Sequence, residues 1–212
     1  VGPLVLGIKN SGADAVYLPL VAASNFAIVQ GLAQNGVDMK ANILATGYGQ
    51  DLLDAPIAST LKPNTVLFST YKPVELKDKA TKQFQADLKK YAGLSGVPDY
   101  GQYLGYITCE LAILGVQNAG ATPTRRGFID GLHKLGTYDA AGLSCQPIDI
   151  SLTNYGKFPT TGCAYFEQVK NDKFVVMNKG KPVTGKLVGS PAAIQANATG
   201  NPDLVTTTTV AP

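Results

Sequence analysis

Three short apolar runs alternate with helix-like segments over the first 70 residues of the chain. The runs are residues 15–20, 43–46 and 65–70, and each ends in small, polar or aromatic residues. Near-continuous apolar runs are typical of parallel strands, because a parallel sheet is covered on both faces. The pattern therefore predicts an open α/β sheet, in which ligands bind in the crevice outside the carboxyl ends of the strands.

The helix-like segments of this region have an apolar side and recognisable ends. Leu4, Val5 and Ile8 predict a first helix that Gly12 ends. Ser24 stands where an N-cap is expected, ahead of a second helix whose apolar positions continue to Ala33. The sequence therefore predicts a repeat of helix, strand and short loop.

Helices dominate the middle of the chain, and a hairpin follows. Phe84, Leu88 and Tyr91 mark the expected core side of a helix over residues 78–92. The next helix, at 102–117, is apolar nearly all round and is expected to be buried. A third opens at residues 122–124, and residues 164–169 and 174–177 predict a β-hairpin. From residue 185 onward the chain has no periodicity.

Composition narrows the class of protein only a little. The 212 residues carry a net charge of +3, and 16% of them are charged. The lysines are scattered, without the basic stripe and interleaved aromatics of a nucleic-acid groove, so no nucleic-acid partner is expected. No apolar run is long enough for a transmembrane helix.

The three cysteines suggest one disulfide. Cys145 and Cys163 flank an irregular segment and are the better candidates for a bridge, which would add about 3 kcal/mol to stability in the chain-entropy model. Cys109 lies in an apolar helical stretch and is expected to be a buried thiol. We therefore predict a Cys145–Cys163 disulfide and an oxidising compartment.

Sequence motifs of enzymes are scarce in this chain. It has no nucleophile elbow, no P-loop and no zinc-protease motif, and its single histidine, His133, is expected on a helix surface. Gly47 and Gly49 follow a strand but lack the third glycine of a dinucleotide fingerprint. We expect no catalytic residue, no metal site and no cofactor. A hydrolase-like enzyme built on His133 remains the least favoured alternative.

Tyrosines cluster at the predicted strand ends. Tyr48 and Tyr71 follow strands, and Tyr100, Tyr103 and Tyr106 lie at the start of the predicted buried helix, whose free N–H groups would favour an anion. Aromatic rings with a polar end suit small-ligand pockets. The sequence therefore favours binding over catalysis.

Four segments, in order, resemble one known family. They are IKNSGADAVY at 8–17, KDKATKQF at 77–84, PDYGQYLGY at 98–106 and QVKNDKFV at 168–175. Together they are similar to the extracytoplasmic solute-binding proteins of branched-chain amino acid type ABC transporters, which have the type I periplasmic binding fold. The resemblance covers residues 1–177 and corresponds to the second half of such a protein.

The resemblance implies two Rossmann-like lobes that exchange chain through a hinge. Residues 1–70 would belong to lobe 2, residues 71–162 to a mostly helical part of lobe 1, and residues 163–180 to lobe 2 again as a hairpin, with an irregular tail at 181–212. The N-terminal strands of lobe 1 would be absent, because the first half of the fold is cleaved, truncated or carried by a separate chain. The expected location is periplasmic or on the cell surface, with a membrane anchor possible through the absent N-terminus.

A ligand site follows from the strand ends and the resemblance together. Family members that bind aliphatic amino acids carry an acidic residue where this chain has Gly47, so an ordinary α-amino acid is not the expected ligand. We expect a small amino-acid-like, carboxylate or aromatic solute. The expected contacts are Ser24, Asn25, Tyr48, Tyr71, Lys72, Tyr103 and Tyr106.

The expected function is capture of that solute for uptake through the membrane permease of an ABC transporter. A sensory or adhesive surface module without transport is the alternative, and the threonine-rich end of the chain is the feature that motivates it.

Overall fold

A computed structural model describes residues 1–61, 63–151, 153 and 161–186 of the chain. Its main sheet has the order β1-β2-β3-β6-β7, with β8 paired to β6. The strands of the described part are β1 Ala15–Leu18, β2 Ala41–Leu44, β3 Thr65–Ser69, β4 Thr137–Tyr138, β5 Ile148–Asp149, β6 Thr161–Lys170, β7 Lys173–Val176 and β8 Val183–Lys186. The α-helices of the same residues are α1 Gly2–Ser11, α2 Ala22–Gln34, α3 Gln50–Asp54, α4 Lys79–Asp87, α5 Tyr100–Gln117 and α6 Arg125–Lys134.

The first three strands are parallel neighbours, as the apolar runs predict. Their register aligns Leu18 with Leu44 and Leu44 with Leu67, and all three leucines are buried. The opposite face is only partly covered, since Tyr17 on it is 56% exposed and Ile43 and Val66 are half-buried. The expectation that both faces of the sheet are covered is therefore wrong for the described residues, because α1 and α2 pack beside each other on the leucine side of the molecule.

The start of α2 differs from the sequence expectation. Val21, not Ser24, is the N-cap, and no side chain caps the helix. Ser24 lies within the first turn, where its amide donates to the Val21 carbonyl at 3.0 Å. The end of α1 is as expected, because Gly12 adopts the left-handed conformation with φ of 70°.

The helices of the middle region are less buried than their sequence suggests. The helix predicted over residues 78–92 is α4 followed by a π-helical turn at Leu88–Ala92. Phe84 is fully buried, but Tyr91 is 75% exposed. Helix α5 exposes Cys109, Ile113 and Val116, so the expectations that this helix and its thiol are buried are wrong.

The predicted hairpin forms between β6 and β7, which pair antiparallel. Its turn residues Asn171 and Asp172 both have positive φ, as a two-residue hairpin turn requires. Strand β6 also pairs antiparallel with β3, which returns the chain to the first sheet. Residues 183–186, expected to be irregular, form β8. Residues 187–212, with the threonine-rich end, lie outside the described residues.

The predicted disulfide is confirmed. Cys145 and Cys163 are bonded, with their Cα atoms 5.8 Å apart. The bond ties the segment after β4 to the start of β6. The buried side chains of the sheet and of α4 and α5 form one connected cluster, which extends from Val5 to Phe174. The division of the chain into lobes remains a prediction.

Candidate functional site

A groove of about 260 Å³ lies where β2 and β3 end. It is the place that the rule for open α/β sheets predicts. Residues 45–48 and 68–71 form one side of the groove, and Tyr100 and Tyr103 at the start of α5 form the other. The groove therefore lies between the sheet and the helical region of the chain.

Five aromatic rings line this groove: Tyr48, Phe68, Tyr71, Tyr100 and Tyr103. The rings of Tyr71 and Tyr103 are stacked, with centroids 5.5 Å apart and planes 8° apart. The Tyr100 ring lies 5.9 Å from that of Tyr71. Tyr103 is buried, while Tyr100 is 53% exposed, so the row of rings runs from the core to the surface.

The hydroxyls of the two buried tyrosines bind the chain segment that links the sheet to α4. The Tyr48 hydroxyl donates to Glu75 Oε2 at 2.7 Å and accepts the Val74 N–H at 3.0 Å. The Tyr103 hydroxyl donates to the Lys72 carbonyl at 2.8 Å. Burial is the main cause that raises the pKa of both phenols above 10.0, so both stay neutral at physiological pH.

This linking segment runs beside a second one. The Lys72 amide donates to the Leu143 carbonyl at 2.7 Å, and the Cys145 amide donates to the Thr70 carbonyl at 2.8 Å. The disulfide then joins Cys145 to Cys163 at the start of β6. Three separate segments of the chain, at residues 70–72, 143–145 and 163, are therefore fastened together next to the groove.

Polar side chains in the groove come from the ends of β2 and β3. The Thr46 hydroxyl donates to the Leu20 carbonyl at 2.6 Å and accepts from the Asn25 amide at 3.1 Å. Ser69 Oγ accepts the Tyr71 N–H at 3.0 Å, and the neighbouring Thr70 is exposed. The hydroxyls of Ser69 and Thr70 are thus placed at the sheet side of the groove.

Tyr48, Tyr71 and Tyr103, three of the seven expected contacts, line the groove, and the other four lie elsewhere. Asn25 is fully buried, and its side-chain amide holds the loops after β1 and β2 together. Lys72 Nζ lies 3.1 Å from Asp78 Oδ2, and Ser24 lies in α2. The Tyr106 hydroxyl donates to Asp87 Oδ2 at 2.8 Å, and its ring does not line the groove.

Phe68 and Tyr100 line the groove but were not among the expected contacts. Phe68 is the penultimate residue of β3, so its position at a strand end was the available signal. Tyr100 is the first residue of α5, beside Tyr103 in the tyrosine cluster that the sequence already showed. Only the packing of α5 against the strand ends decides which tyrosines of this cluster reach the groove.

The start of α5 does not offer a free anion site. Asp99 Oδ1 accepts the Gln102 N–H at 2.8 Å, and the Gln102 side chain accepts the Asp99 N–H at 3.1 Å. This capping box supplies a negative charge to the helix end from within the chain. The Asp99 carboxylate thus opposes the binding of an anion at this helix end.

Gly47 explains part of the shape of the groove. It has φ of 120°, and a Cβ built on it would lie 2.6 Å from Phe26 Cζ. A residue with a side chain would be strained here and would clash with the Phe26 ring. The position after β2 is therefore closed to an acidic side chain in this backbone conformation.

A buried carboxyl lies behind the groove. Glu167 in β6 is fully buried, and neither of its oxygens has a hydrogen-bond partner among the described residues. Burial, with a smaller contribution from Glu75, raises its pKa from 4.5 to about 9. Burial also raises the pKa of Glu75, although the Tyr48 hydroxyl opposes this. Glu167 is therefore a neutral acid at pH 7.

Other kinds of site find little support in the described residues. No group of three histidine, cysteine or acidic side chains could hold a metal ion there. The His133 ring lies on α6 with Nδ1 2.8 Å from the Ile150 carbonyl oxygen, and it does not line the groove. Among the described helices, none has both the length and the apolar character needed to span a bilayer.

A groove at the strand ends of an open α/β sheet is typical of a ligand-binding protein. The sequence profile of the family named periplasmic binding protein matches residues 1–174. The chain belongs to the type I periplasmic binding proteins, and this membership indicates an extracytoplasmic location. No curated protein sequence matches the chain.

Solved structures support the fold. A fatty acid ABC transporter substrate-binding protein from Thermomonospora curvata is similar with a TM-score of 0.66 and 21% identity, over 87% of this chain and 45% of that one. An ABC transporter substrate-binding protein from Aeropyrum pernix is similar with a TM-score of 0.64 and 12% identity, over 85% of this chain and 47% of that one. A solute-binding protein from R. palustris in complex with benzoate is similar with a TM-score of 0.57 and 14% identity, over 89% of this chain and 48% of that one. This chain therefore spans about half the length of the proteins it resembles.

Proposed function

We propose that this chain is the C-terminal half of a solute-binding protein that closes two lobes on a small molecule and presents it to the permease of an ABC transporter. The observation that carries the proposal is the groove between the ends of β2 and β3 and the start of α5. One wall belongs to the sheet and the other to the helical region, as a cleft between two lobes requires. Hinge closure around a ligand is the usual motion of such proteins.

The linking segments supply the hinge in this proposal. Tyr48 and Tyr103, one from each wall, both bind the segment at residues 72–75 through their hydroxyls. A ligand that draws the two walls together would therefore move groups bonded to the linking segment. The disulfide at Cys145 limits how far the second segment can move from β6.

The ligand is a small amino-acid-like, carboxylate or aromatic solute, and Tyr48, Tyr71 and Tyr103 are its proposed contacts in this half. Solved proteins of the same fold are described in complex with benzoate and with 3,4-dihydroxybenzoic acid. The proposed partners are the permease and the N-terminal half of the fold, in the same precursor or as a separate chain. The protein itself performs no catalytic step.

A ligand panel on the natural protein that contains both halves tests the proposal. Fatty acids, aromatic acids and amino acids are added in turn, and thermal stability and calorimetric heats are recorded. A true ligand at 100 times its Kd stabilises the folded state by about 2.7 kcal/mol. The proposal fails if no member of the panel stabilises the protein.

A matched pair of variants locates the binding. Thr70→Trp fills the groove and is expected to abolish binding, while Thr137→Trp makes the same change at an exposed position of β4 and is expected to leave it intact. Equal binding by the two folded variants would show that the ligand does not enter this groove.

A further inference from the structure

We propose that the end of the ligand that enters this groove is an uncharged aromatic ring. This inference rests on the proposed function and narrows it to one class of substrate. It has two independent supports, which are the absence of charge in the groove lining and the arrangement of the tyrosine rings.

The described residues that line the groove include no acidic or basic side chain. The charged groups nearest to it are already paired. Lys72 pairs with Asp78, Glu75 accepts from Tyr48, and Asp99 caps α5. A charged group placed in the groove would lose water and gain no counter-charge from these residues, which is unfavourable.

The tyrosine rings offer a surface that suits another ring. Aromatic pairs favour centroid separations of about 4.5–7 Å. The Tyr103–Tyr71 separation of 5.5 Å and the Tyr71–Tyr100 separation of 5.9 Å are both of this kind. Tyr71 is half-buried and Tyr100 is 53% exposed, so the row is open at its outer end. A ligand ring would extend the row by one member.

Neutral polar groups stand on the sheet side of the groove, next to Tyr71. The Ser69 and Thr70 hydroxyls at the end of β3 can bond a hydroxyl substituent of the ring. Burial, with a smaller effect of Tyr100, raises the pKa of the Tyr71 phenol, so this ring also stays neutral. The described lining of the groove is therefore neutral throughout and suits a ring with neutral substituents.

Pairs of compounds with the same head group test the inference on the natural two-lobed protein. The pairs are benzoate with cyclohexanecarboxylate, phenylalanine with cyclohexylalanine, and benzyl alcohol with cyclohexylmethanol. The aromatic member of any pair that binds is expected to bind about 2- to 10-fold more tightly, because ring–ring contact adds to area burial. Titration calorimetry measures the Kd values.

Variants of the row identify the rings responsible. Tyr100→Leu and Tyr71→Leu are expected to weaken binding of the aromatic member more than that of the saturated member, so that the ratio of the two Kd values falls to about 1. Tyr91→Leu, at a tyrosine exposed on the π-helical turn and away from the groove, is the control and is expected to keep the preference. Tyr100 is exposed, so its variant remains informative if Tyr71→Leu fails to fold.

The outcomes separate the two proposals. The aromatic inference alone would be overturned if the saturated compounds bind as tightly as the aromatic ones. It would also be overturned if the aromatic preference survives in both Tyr100→Leu and Tyr71→Leu. Failure of all six compounds and of the wider panel to bind would count against the proposed function itself, and the inference would fall with it.

Discussion

Replacing Glu167 with glutamine should remove a pH-dependent loss of stability. The carboxyl is fully buried in β6, has no hydrogen-bond partner among the described residues, and has a pKa of about 9 in the folded chain. The groups that act on it or face it are the carboxyl of Glu75, the phenol of Tyr103 and its strand neighbours Leu67 and Val176. None of these groups is cationic, so none of them stabilises the ionised carboxylate of Glu167 by charge.

The sign and size of the effect follow from the two pKa values. Between pH 4.5 and about 9 the folded chain keeps a proton on Glu167 that the unfolded chain has released. The free energy of unfolding therefore falls as pH rises through this window, by about 1.4 kcal/mol per pH unit for one proton. From pH 5 to pH 8 this ionisation should lower the free energy of unfolding of the wild type by about 4 kcal/mol, a loss that the glutamine variant should not show. The stability conferred by the neutral carboxyl is fully present only below pH 4.5.

Urea unfolding of the oxidised protein at each pH from 5 to 9 measures this difference. Glu167→Gln should match the wild type within about 1 kcal/mol at pH 5, because both side chains are then neutral and similar in shape. Asp172→Asn is the control, since it removes an exposed carboxylate from the turn of the same hairpin and should leave the slope unchanged. Parallel profiles for the wild type and Glu167→Gln would show that the carboxyl is solvated or paired, and the reasoning would be wrong.

Three further changes test the contacts around the groove by urea unfolding. Cys145→Ser should lower the free energy of unfolding by about 3 kcal/mol, and reduction of the wild type should have the same effect; no change on reduction would contradict the bond. Tyr48→Phe should lower the free energy of unfolding by about 1–3 kcal/mol, because the Val74 amide and the Glu75 carboxyl lose their shared partner. An unchanged urea midpoint would refute this. Phe84→Ala should lower the free energy of unfolding by about 3–5 kcal/mol, and Tyr91→Ala should change it by no more than about 0.5 kcal/mol. Equal losses in the two variants would contradict the burial of Phe84.

The sequence predicted those parts of the fold that depend on local pattern. The three apolar runs became parallel strands, although the second begins at Ala41, two residues before the expected start. The hairpin turn at Asn171 and Asp172 was predictable because residue type and backbone conformation agree there. The disulfide was predictable because an irregular segment between two cysteines leaves few other constraints on the chain.

Burial was harder to predict, because it depends on what else is present. Helix α5 is apolar on nearly all sides, yet Ile113 and Val116 are about half exposed in this chain. The apolar face of β1 to β3 that carries Tyr17 is likewise only partly covered. Periodicity shows that a surface is suited to burial, but it cannot show whether the covering element belongs to the same stretch of sequence.

The candidate site shows the same division between local and non-local information. Strand ends placed Tyr48 and Tyr71 at the groove, because the geometry of an α/β sheet fixes where ligands bind. Asn25 also follows a strand, but its amide bonds two loops and is fully buried, which only the packing of those loops determines.

The open surfaces and the groove have one physical explanation in common. This chain matches about half the length of several substrate-binding proteins and leaves apolar side chains of the sheet and of α5 exposed. If the other half proposed above is present, these side chains are expected to pack against it. Under the proposed function, that other half would supply further contacts to a ligand in the groove. Under the same proposal, a charge on the ligand would be met there, since the described lining on this side is neutral. The two halves would thus divide recognition, with the ring bound here and the head group bound by the other half.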